Sequence, residues 1–445
     1  RVSEVVSSLK NLVSVIIVDE VNINKIEVDY NYTLFKDFGE KSKLKFIKFP
    51  FSHPSYILYT SGTTGAPKAI VHSTGGVILQ HFKEHKLHND LRFNDRIMWY
   101  TNIAWMMYHW VVSSLGCNAT LVLYDGVPIT KKNNNFDGSL LWKVADKEKL
   151  THLGISPKYI STLEDINENP INKYNINSLR WLLAAGSPVA PSQFDWIYKN
   201  IKKDIGFASI SGGSEVLACF MLGSPLHPVR RGELTVKGLG MSVEIYNSKN
   251  ESVIGEPGDL VCTEPFPSMP ITFWGKDGDA RYKKTYFEER KEVWTHGDLA
   301  ELKPHGSGVI YGRTDNTLNP GGVRIGTAEI YNICELFTEI EDCLVFGNQI
   351  NNDEEIILCI KLSHNNKLDN KLSKIIRSKI RENASPRHVP QKIYEVTDIP
   401  YTMNGKRVEG AAKWMLAGKE IPNLSSISNP ECLKQYAGLN NKKAL

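Results

Sequence analysis

Short apolar runs rich in β-branched residues alternate with segments of helical periodicity through the first 220 residues. A short apolar run bounded by turn residues is typical of a buried strand, whereas apolar residues three or four positions apart are typical of a helix. The predicted strands are Val13–Val18, Tyr56–Tyr59, Arg96–Trp99, Ala119–Leu123, Leu182–Ala185 and Phe207–Ile210. The predicted helices are Gly76–His88, Trp105–Leu115, Pro157–Glu164 and Pro191–Tyr198. This alternation predicts an α/β fold of layered helices and largely parallel sheets.

The pattern changes twice farther along the chain. From Gly232 onward, short strands separated by Gly and Pro turns predict a small β-rich subdomain over about residues 232–312. The strands predicted there are Glu233–Val236, Ser242–Tyr246, Gly258–Cys262 and Val309–Gly312. Beyond about residue 315, the order helix, strand, strand, helix, strand, helix predicts a compact α+β domain. We therefore expect a large domain over residues 1–312 and a smaller one over residues 313–445, with polar loop at Asn22–Lys45 and a frayed end at 440–443.

Composition narrows the class of protein. The 445 residues are 41% hydrophobic and 23% charged, with a net charge of +4, and no dense basic block is present. These values are typical of a globular protein that does not track nucleic acid. The longest apolar runs are too short to span a membrane. Seven cysteines without Cys-x-x-Cys spacing favour a reducing compartment and core positions. The chain begins at Arg1 without a signal peptide, which indicates a fragment or a processed product.

The segment Tyr59–Lys68 reads Tyr-Thr-Ser-Gly-Thr-Thr-Gly-Ala-Pro-Lys and follows a predicted strand. Gly62 and Gly65 allow the backbone to turn and bring amide groups close to an anion. Further donors are the hydroxyls of Thr60, Ser61, Thr63 and Thr64 and the ammonium of Lys68. The loop is therefore predicted to bind a polyphosphate. Its spacing is not that of the P-loop ATPases, so a Walker mechanism is not expected.

Other motifs occur in a fixed order after this loop. They are Gly186-Ser187-Pro188, Ser211-Gly212-Gly213-Ser214-Glu215, His296-Gly297-Asp298, Tyr311-Gly312-Arg313-Thr314-Asp315, Gly321-Gly322-Val323-Arg324-Ile325 with Glu329, and Pro400-Tyr401-Thr402-Met403-Asn404-Gly405-Lys406. From about Phe49 to its end, the chain thus resembles the adenylate-forming superfamily of acyl-CoA synthetases, luciferases and peptide-synthetase adenylation domains. Members have a further long N-terminal part, so the resemblance implies that the large domain is incomplete here.

The resemblance implies a role for each motif. The phosphate loop would hold the β- and γ-phosphates of ATP, and Gly186, Ser187 and Pro188 would lie along adenine. Ser214 would also contact the nucleotide, and Glu215 would bind Mg²⁺. Asp298 would accept the ribose hydroxyls, which suits an acceptor-only carboxylate. Arg313 and Arg324 would contact ribose or phosphate oxygens. Lys406 would act as the catalytic lysine, contacting the α-phosphate and the substrate carboxylate.

A second set of implied roles concerns the movement of the small domain and coenzyme A. Asp315 would be the hinge, and the face around Gly321 and Gly322 would admit the pantetheine arm. Arg377 or Arg381 is a candidate for the 3′-phosphate of coenzyme A, with a solvated helix face as the open alternative.

Segments Trp99–Met107 and Ser268–Gly275, and the motifs at 385–390 and 428–431, resemble the acetoacetate-activating members in particular. Trp105, Met106 and Met107 would line the acyl pocket, with a plain core role as the alternative. Gly212 stands where acetyl-specific members carry a tryptophan, which implies room for a longer acyl group.

The implied activity is ATP-dependent, AMP-forming ligation of acetoacetate to coenzyme A in the cytosol, with Mg²⁺ accompanying ATP. Two alternatives stay open: another short- or medium-chain acyl-CoA synthetase, or a truncated nucleotide-binding protein without turnover. Only small-molecule partners are implied, with neither nucleic acid nor integral membrane contact.

His81, His85 and His88 are spaced to lie on one side of a predicted helix. The spacing invites a metal-site hypothesis, but no His-Glu-x-x-His core is present. We expect these histidines to form a partly exposed helix face.

Overall fold

A computed structural model describes residues 2–18, 30–60, 68–132, 135–320, 325–350, 353–364, 366–403, 405–421, 424–439, 442 and 444–445. The helices are α1 Val2–Ser8, α2 Thr74–Lys83, α3 Met106–Val112, α4 Leu140–Lys147, α5 Pro157–Asp165, α6 Pro170–Lys173, α7 Pro191–Asn200, α8 Gly278–Phe287, α9 Thr327–Cys334, α10 Asn370–Asn383, α11 Glu409–Leu416 and α12 Lys434–Ala437.

The strands are short in the first half of the chain and longer after residue 290. They are β1 Ile16–Ile17, β2 Thr33–Leu34, β3 Pro54–Tyr59, β4 Ala69–Ser73, β5 Arg96–Trp99, β6 Thr120–Leu121, β7 Thr130–Lys132, β8 Asn135–Asp137, β9 His152–Ile155, β10 Trp181–Ala184, β11 Gly206–Ser209, β12 Ser211–Gly213, β13 Ala218–Leu222, β14 Val236–Lys237, β15 Val243–Tyr246, β16 Gly258–Cys262, β17 Thr272–Phe273, β18 Trp294–Leu302, β19 Gly308–Arg313, β20 Ile340–Ile350, β21 Asp353–Leu362 and β22 Lys392–Glu395.

Two compact units can be distinguished, residues 1–49 and residues 50–445. In the first unit, α1 precedes a parallel pair of two-residue strands, β1 and β2. A 3₁₀ turn follows at Phe35–Asp37. The predicted strand Val13–Val18 is therefore much shorter than expected, and of the predicted loop Asn22–Lys45 only residues 30–45 are described.

A five-stranded parallel sheet forms the centre of the second unit, in the order β11-β10-β9-β5-β6. Its inner strands β10, β9 and β5 are almost entirely buried, as parallel strands usually are. Leu182 and Phe207 face a core that contains residues of α4, α5 and α7, whereas Leu183 and Ala208 face a second core with Trp110 of α3. Alternate residues of each strand therefore build two different layers.

A smaller antiparallel sheet, β17-β4-β3, continues into α2. Ser73 caps this helix by accepting a hydrogen bond from the Gly76 amide, 3.2 Å away. The helix does not run unbroken to His88 as predicted, because Glu84–His88 forms a π-helical segment. A π segment admits an extra residue per turn and is frequent at functional sites.

The predicted β-rich subdomain, about residues 232–312, contains a four-stranded antiparallel sheet in the order β15-β16-β18-β19. Aromatic rings fill its core, and Trp294 stacks on Tyr286 with ring centroids 3.8 Å apart. Its most buried ion pair joins Arg290 to Asp259 at 2.7 Å. This arrangement confirms the predicted α/β fold with a β-rich subdomain.

After residue 315 the elements occur in the predicted order: α9, β20, β21, α10, β22, α11. β20 and β21 form a long antiparallel pair, and β22 joins β21 in parallel. One side of this sheet packs against α9 and α10, and the other against α11 and α12. The boundary near Arg313–Asp315, the hinge and the mobility of the small domain stay predictions.

All seven cysteines are unpaired and buried, which confirms their predicted place in the core. Among the described residues, no helix combines the length and the apolar character that crossing a bilayer requires.

Glu164 on α5 gives a pH-dependent prediction for this fold. Burial, with Asp165 and Glu335 nearby, raises the pKa of its carboxyl from 4.5 to about 7. The folded state therefore binds this proton more tightly than the unfolded state, so its stability falls as the pH rises from about 4.5 to about 7. We expect Glu164→Gln to raise the melting temperature above pH 7 and to leave it unchanged below pH 4.5. Exposed Glu288→Gln is the control, and an equal effect of Glu164→Gln at both pH values would contradict the assignment.

Candidate active site

Two of the predicted site segments follow neighbouring strands of the parallel sheet. β10 ends at Ala184 before Gly186–Pro188, and β11 ends at Ser209 before the strand and turn that carry Glu215. Because both strands are parallel neighbours, their carboxyl ends lie side by side. The carboxyl edge of such a sheet is where α/β proteins bind ligands. The topology therefore places two of the predicted motifs at a ligand-binding edge.

The phosphate loop joins β3 and β4 as the tip of an antiparallel hairpin. The Thr60 amide donates to the Lys68 carbonyl at 3.1 Å, and the Lys68 amide donates to Thr60 Oγ1 at 3.1 Å. These two hydrogen bonds close the base of the loop. The predicted contacts Ser61, Gly62, Thr63, Thr64 and Gly65 lie outside the described residues.

The Lys68 side chain lies over an aromatic surface of the β-rich subdomain. Its ammonium is 5.4 Å from the centroid of the Tyr286 ring, a cation–π contact. Lys68 is also one of the positive charges that act on Glu215. The structure therefore brings together the end of the phosphate loop and the predicted magnesium ligand, which are far apart in sequence.

Glu215 lies in the turn between β12 and β13 and is partly exposed. Burial would raise the pKa of its carboxyl, but His296, Arg313 and Lys68 outweigh this effect and hold it below the ordinary value. Glu215 is therefore ionised at neutral pH and has oxygen atoms available for a cation.

His296 belongs to the predicted motif 296–298 but was assigned no role of its own, and it is close enough to Glu215 to affect the pKa of that carboxyl. It is buried, and its ring packs edge-to-face on Phe220 at 4.6 Å. Burial lowers its pKa, against the opposing effect of Asp298 and Glu215, so the ring is neutral at pH 7. Its Nδ1 atom has no hydrogen-bond partner within the described part of the chain. A polar atom is thus left for a ligand or water beside Glu215.

Asp298 and Arg313 are direct neighbours on β18 and β19. Arg313 Nη1 lies 3.1 Å from Asp298 Oδ1 and also donates to the His296 carbonyl at 3.1 Å. The guanidinium is 45% exposed, so this ion pair is weak. The two residues predicted to hold ribose and phosphate are thus adjacent and in contact with each other.

Gly186, Ser187 and Pro188 form an exposed turn beyond β10. Gly186 has φ +113°, and a Cβ built there would meet nothing within 4 Å. Only glycine adopts this backbone conformation without strain, which leaves an open surface at the predicted adenine position.

The predicted acyl-pocket residues lie at the start of α3. Trp105 is the N-cap, and Met106 and Met107 are partly buried against the core beneath the sheet. Met106 also packs in a cluster with Leu217, two residues after Glu215. This geometry is compatible with both the pocket role and the core role, so the pocket stays a prediction.

Gly212 faces the paired strand rather than an open space. A Cβ built on Gly212 would lie 1.9 Å from the Ala218 carbonyl oxygen, at a register shift between β12 and β13. A tryptophan would therefore require the backbone to move. Strand pairing gives a second reason for glycine here, besides the predicted room for an acyl group.

Lys406 is exposed on a tight turn of the small domain. Its amide donates to Thr402 Oγ1 at 3.1 Å, its carbonyl accepts from the Thr402 amide at 2.8 Å, and Gly405 has φ +74°. The next residue, Arg407, forms a salt bridge with Asp342 at 2.9 Å. The turn is thus anchored to the small domain while the ammonium projects from it.

The predicted coenzyme A contacts receive little support. Gly321, Gly322 and Arg324 lie outside the described residues, as does the side chain of Asp315. Arg377 donates to the carbonyl oxygens of Pro390, Gln391 and Leu445 and to Ser373 Oγ. These bonds connect α10 to the end of the chain. They favour a structural role for Arg377, whereas Arg381 is exposed.

The expected exposure of His81, His85 and His88 is wrong. Their exposed fractions are 0%, 0% and 2%, because α3 and β13 cover this side of α2 and the π segment. Each ring lies within hydrogen-bond distance of a backbone carbonyl: those of Leu217, Trp110 and Gly223, respectively. Polar residues at helical spacing were mistaken for a solvated face.

In chemical terms, the edge offers an ionised carboxylate, two fixed cations and a neutral imidazole beside a closed loop base. Such a set can bind a metal–polyphosphate complex and stabilise negative charge that develops on phosphoryl oxygens.

Comparison with known proteins agrees with this chemistry. The AMP-binding enzyme family matches residues 2–269. An acetoacetyl-coenzyme A synthetase of Rhizobium meliloti (strain 1021) is 46% identical over 401 residues, which are 90% of this chain and 61% of that protein. An acetoacetyl-CoA synthetase of Gallus gallus is 41% identical over 454 residues, covering 99% of this chain and 67% of that protein.

Solved structures of acyl-CoA synthetases and ligases are also similar to this chain. The acetoacetyl-CoA synthetase from Streptomyces lividans has a TM-score of 0.90 at 36% identity and covers 99% of this chain and 67% of its own. An anthranilate CoA ligase in complex with anthranoyl-AMP has a TM-score of 0.70 at 19% identity, over 85% of this chain and 70% of its own, which shows likeness of fold alone. The chain therefore spans 61% and 67% of the length of the two curated relatives named above. The predicted resemblance is confirmed, and the chain belongs to the family of AMP-binding enzymes.

Proposed function

We propose that this protein catalyses the ATP-dependent, AMP-forming ligation of acetoacetate to coenzyme A through an acetoacetyl-adenylate. The observation that carries the proposal is the grouping of Lys68, His296 and Arg313 around the ionised Glu215 carboxylate, with Lys68 also closing the base of the phosphate loop. The similarity to acetoacetyl-CoA synthetases over nearly the whole chain supports the choice of reaction. A cytosolic location, supported by seven unpaired cysteines, is part of the proposal.

The reaction has two balanced steps. An oxygen of the acetoacetate carboxylate attacks the α-phosphorus of ATP, a new P–O bond forms, and the bond to the bridging oxygen breaks to release pyrophosphate. The sulfur of coenzyme A then attacks the acyl carbonyl, the C–S bond forms, the bond to AMP breaks, and the thiol proton passes to solvent. Both steps develop negative charge on phosphoryl or acyl oxygens, which positive groups stabilise.

Glu215 fits the requirement for Mg²⁺. When bound, the ion would neutralise charge on the phosphates of ATP. Mg²⁺ in such sites takes one or two carboxylates, substrate phosphates and water, so one partly exposed, ionised carboxylate suffices. Glu215 would hold the ion, and Lys68 at the base of the phosphate loop would hold the outer phosphates.

The remaining roles follow from position. Asp298 would accept the ribose hydroxyls, Arg313 would contact ribose or phosphate, and the Gly186 turn would lie along adenine. Lys406 would reach the α-phosphate when the small domain turns about residue 315, and the segment near Gly321 would face coenzyme A in the second step. These assignments are supported by the order of the motifs and by the exposed positions of Gly186 and Lys406.

Acetoacetate-dependent exchange of labelled pyrophosphate into ATP tests the first step. We expect exchange with acetoacetate to exceed exchange with acetate or butyrate by about tenfold or more. Acetate lacks the acetyl group of acetoacetate and butyrate lacks its keto oxygen, and even one methylene group alters binding by about 1–3 kcal/mol. Product analysis with coenzyme A added should then give acetoacetyl-CoA and AMP.

Two other results would change the proposal. Equal exchange with all three acids would overturn the choice of acetoacetate and favour a broader short-chain synthetase. ATP binding without exchange, for any of the acids, would favour a nucleotide-binding protein without turnover.

A further inference from the structure

Two buried histidines form hydrogen bonds with the backbone of the turn that carries Glu215. His72 Nε2 lies 2.8 Å from the Ser214 carbonyl oxygen, and His81 Nε2 lies 2.6 Å from the Leu217 carbonyl oxygen. Both rings are fully buried. The two carbonyls stand immediately before Glu215 and two residues after it, so the hydrogen bonds bracket the carboxylate.

The turn itself is under strain. Leu217 has φ 47°, a left-handed conformation that residues with a bulky side chain rarely adopt. Such a conformation persists only where its surroundings hold it in place. The hydrogen bond from His81 falls on the carbonyl of this strained residue, so the histidine supports the least favourable point of the turn.

The hydrogen bonds define one tautomer for His81. A carbonyl oxygen only accepts, so His81 Nε2 carries the proton and Nδ1 is the acceptor. Ser113 Oγ lies 3.0 Å from this Nδ1 and 3.0 Å from His85 Nε2. His85 Nε2 also lies 2.9 Å from the Trp110 carbonyl. The single Ser113 proton lies within reach of the Trp110 carbonyl, 2.6 Å away, and of His81 Nδ1, while His81 Nε2 donates to the Leu217 carbonyl.

Protonation of His81 would disrupt these hydrogen bonds, because a charged imidazole has two donors and no acceptor. Burial opposes it: the pKa of His85 is lowered to about 3 and that of His72 to about 4, while the pKa of His81 is lowered chiefly by burial. The rings are therefore neutral through the physiological range.

A third group extends the support along β13. The buried Glu84 carboxylate accepts from the Cys219 amide at 3.1 Å, from Trp110 Nε1 at 2.8 Å and from Gln80 Nε2 at 2.9 Å. His81 and Glu84 lie three residues apart on the same side of α2 and its π segment, facing the backbone that follows Glu215. One helix face thus fixes the turn and the strand after it.

We propose that His81 and His72 are positioning residues for Glu215, acting through the backbone of its turn so that the carboxylate is held ready for a metal–nucleotide complex. The inference rests on the proposed role of Glu215. Apolar residues on this face of α2 would pack equally well, so packing alone does not explain why the buried face is polar. Holding the turn of Glu215 in place does explain it.

The test measures ATP binding by calorimetry with and without Mg²⁺, in the complete chain without acid substrate. We expect His81→Leu to weaken the Mg²⁺-dependent part of ATP binding by about tenfold, the lower end of the effect of removing such supporting groups. ATP binding without Mg²⁺ should not change. His81→Gln keeps a donor near the Nε2 position and should recover binding to within about threefold of the parent.

His152→Leu is the matched control. His152 is equally buried, and its Nε2 lies 2.8 Å from the Asn89 carbonyl rather than from the Glu215 turn. We expect the control to lower the melting temperature without altering the Mg²⁺ dependence. An equal loss in His152→Leu, or parental Mg²⁺ dependence in His81→Leu, would overturn the proposal.

Two further measurements separate the possible failures. If Glu215→Gln leaves the Mg²⁺ dependence unchanged, the proposed metal role of Glu215 is wrong; if it removes the dependence and His81→Leu does not, only the positioning role is wrong. Nitrogen-15 NMR of the labelled parent chain reads the tautomer directly, even if His81→Leu does not fold. A neutral His81 with its proton on Nε2 supports the hydrogen bond from His81 to the Leu217 carbonyl, and a proton on Nδ1 contradicts it.

Discussion

Replacing Lys406 by alanine is expected to lower acetoacetate-dependent pyrophosphate exchange by about a hundredfold or more. Removal of one fixed donor from a site that stabilises developing negative charge typically has an effect of this order. Because Lys406 is exposed and its ammonium projects from the turn, the substitution should alter the free energy of unfolding by less than about 0.5 kcal/mol. This variant should therefore lose pyrophosphate exchange while keeping the stability of the parent protein.

Lys419→Ala is the control, since Lys419 is an exposed lysine of the same small domain. It should exchange pyrophosphate at the parental rate. Exchange by Lys406→Ala at the parental rate would show that the lysine does not serve the first step. A melting temperature lowered by several degrees would instead show that the Lys406 turn has a structural role.

The second large effect concerns stability. Arg407→Met is expected to destabilise the small domain by about 3 kcal/mol, because breaking one partner of a largely buried ion pair leaves the other charge unpaired. The guanidinium of Arg407 lies 2.9 Å from Asp342 and 4.3 Å from the centre of the Tyr331 ring. Its side chain is 22% exposed and that of Asp342 is 10% exposed. Thermal unfolding of the variant measures the loss.

A double-mutant cycle isolates the charge pair. Burial would raise the pKa of Asp342, but Arg407 and Lys158 hold it below the ordinary value. The stability that this pair contributes is thus present at neutral pH and is lost as the pH falls through the lowered pKa. Arg407→Met combined with Asp342→Leu should be less destabilised than the sum of the two single variants. Strict additivity would mean that the pair is not coupled.

The strands of the parallel sheet were predictable to different degrees. Arg96–Trp99 was predicted with its observed bounds, because the apolar run is bounded by polar residues. β9, which lies at the middle of the same sheet, was missed. Its four residues, His152 to Ile155, include a histidine and a glycine, which weaken any strand signal. Only the pairing with β5 and β10 makes them a strand.

The residues of the candidate site were also predictable only in part. The motifs located Glu215, Asp298 and Arg313, and the fold brings these three residues close to one another. The support behind them was not predicted, because helical periodicity reports that His81 shares a side with other polar residues and not whether that side is covered. Arg377 is similar. The family resemblance and its position in a helix made it a candidate phosphate contact, whereas its hydrogen bond to the Leu445 carbonyl depends on how the end of the chain folds back.

The contact between Asp298 and Arg313 has a consequence for ligand entry. Under the proposed function, an incoming nucleoside would exchange partners with this pair: the ribose hydroxyls would replace the guanidinium at Asp298, and Arg313 would turn to the ligand. Because the pair is partly solvated, parting it costs about 0–1 kcal/mol. Asp298 and Arg313 therefore neutralise each other's charge, and breaking their contact would reduce the affinity for the nucleoside by at most a few-fold.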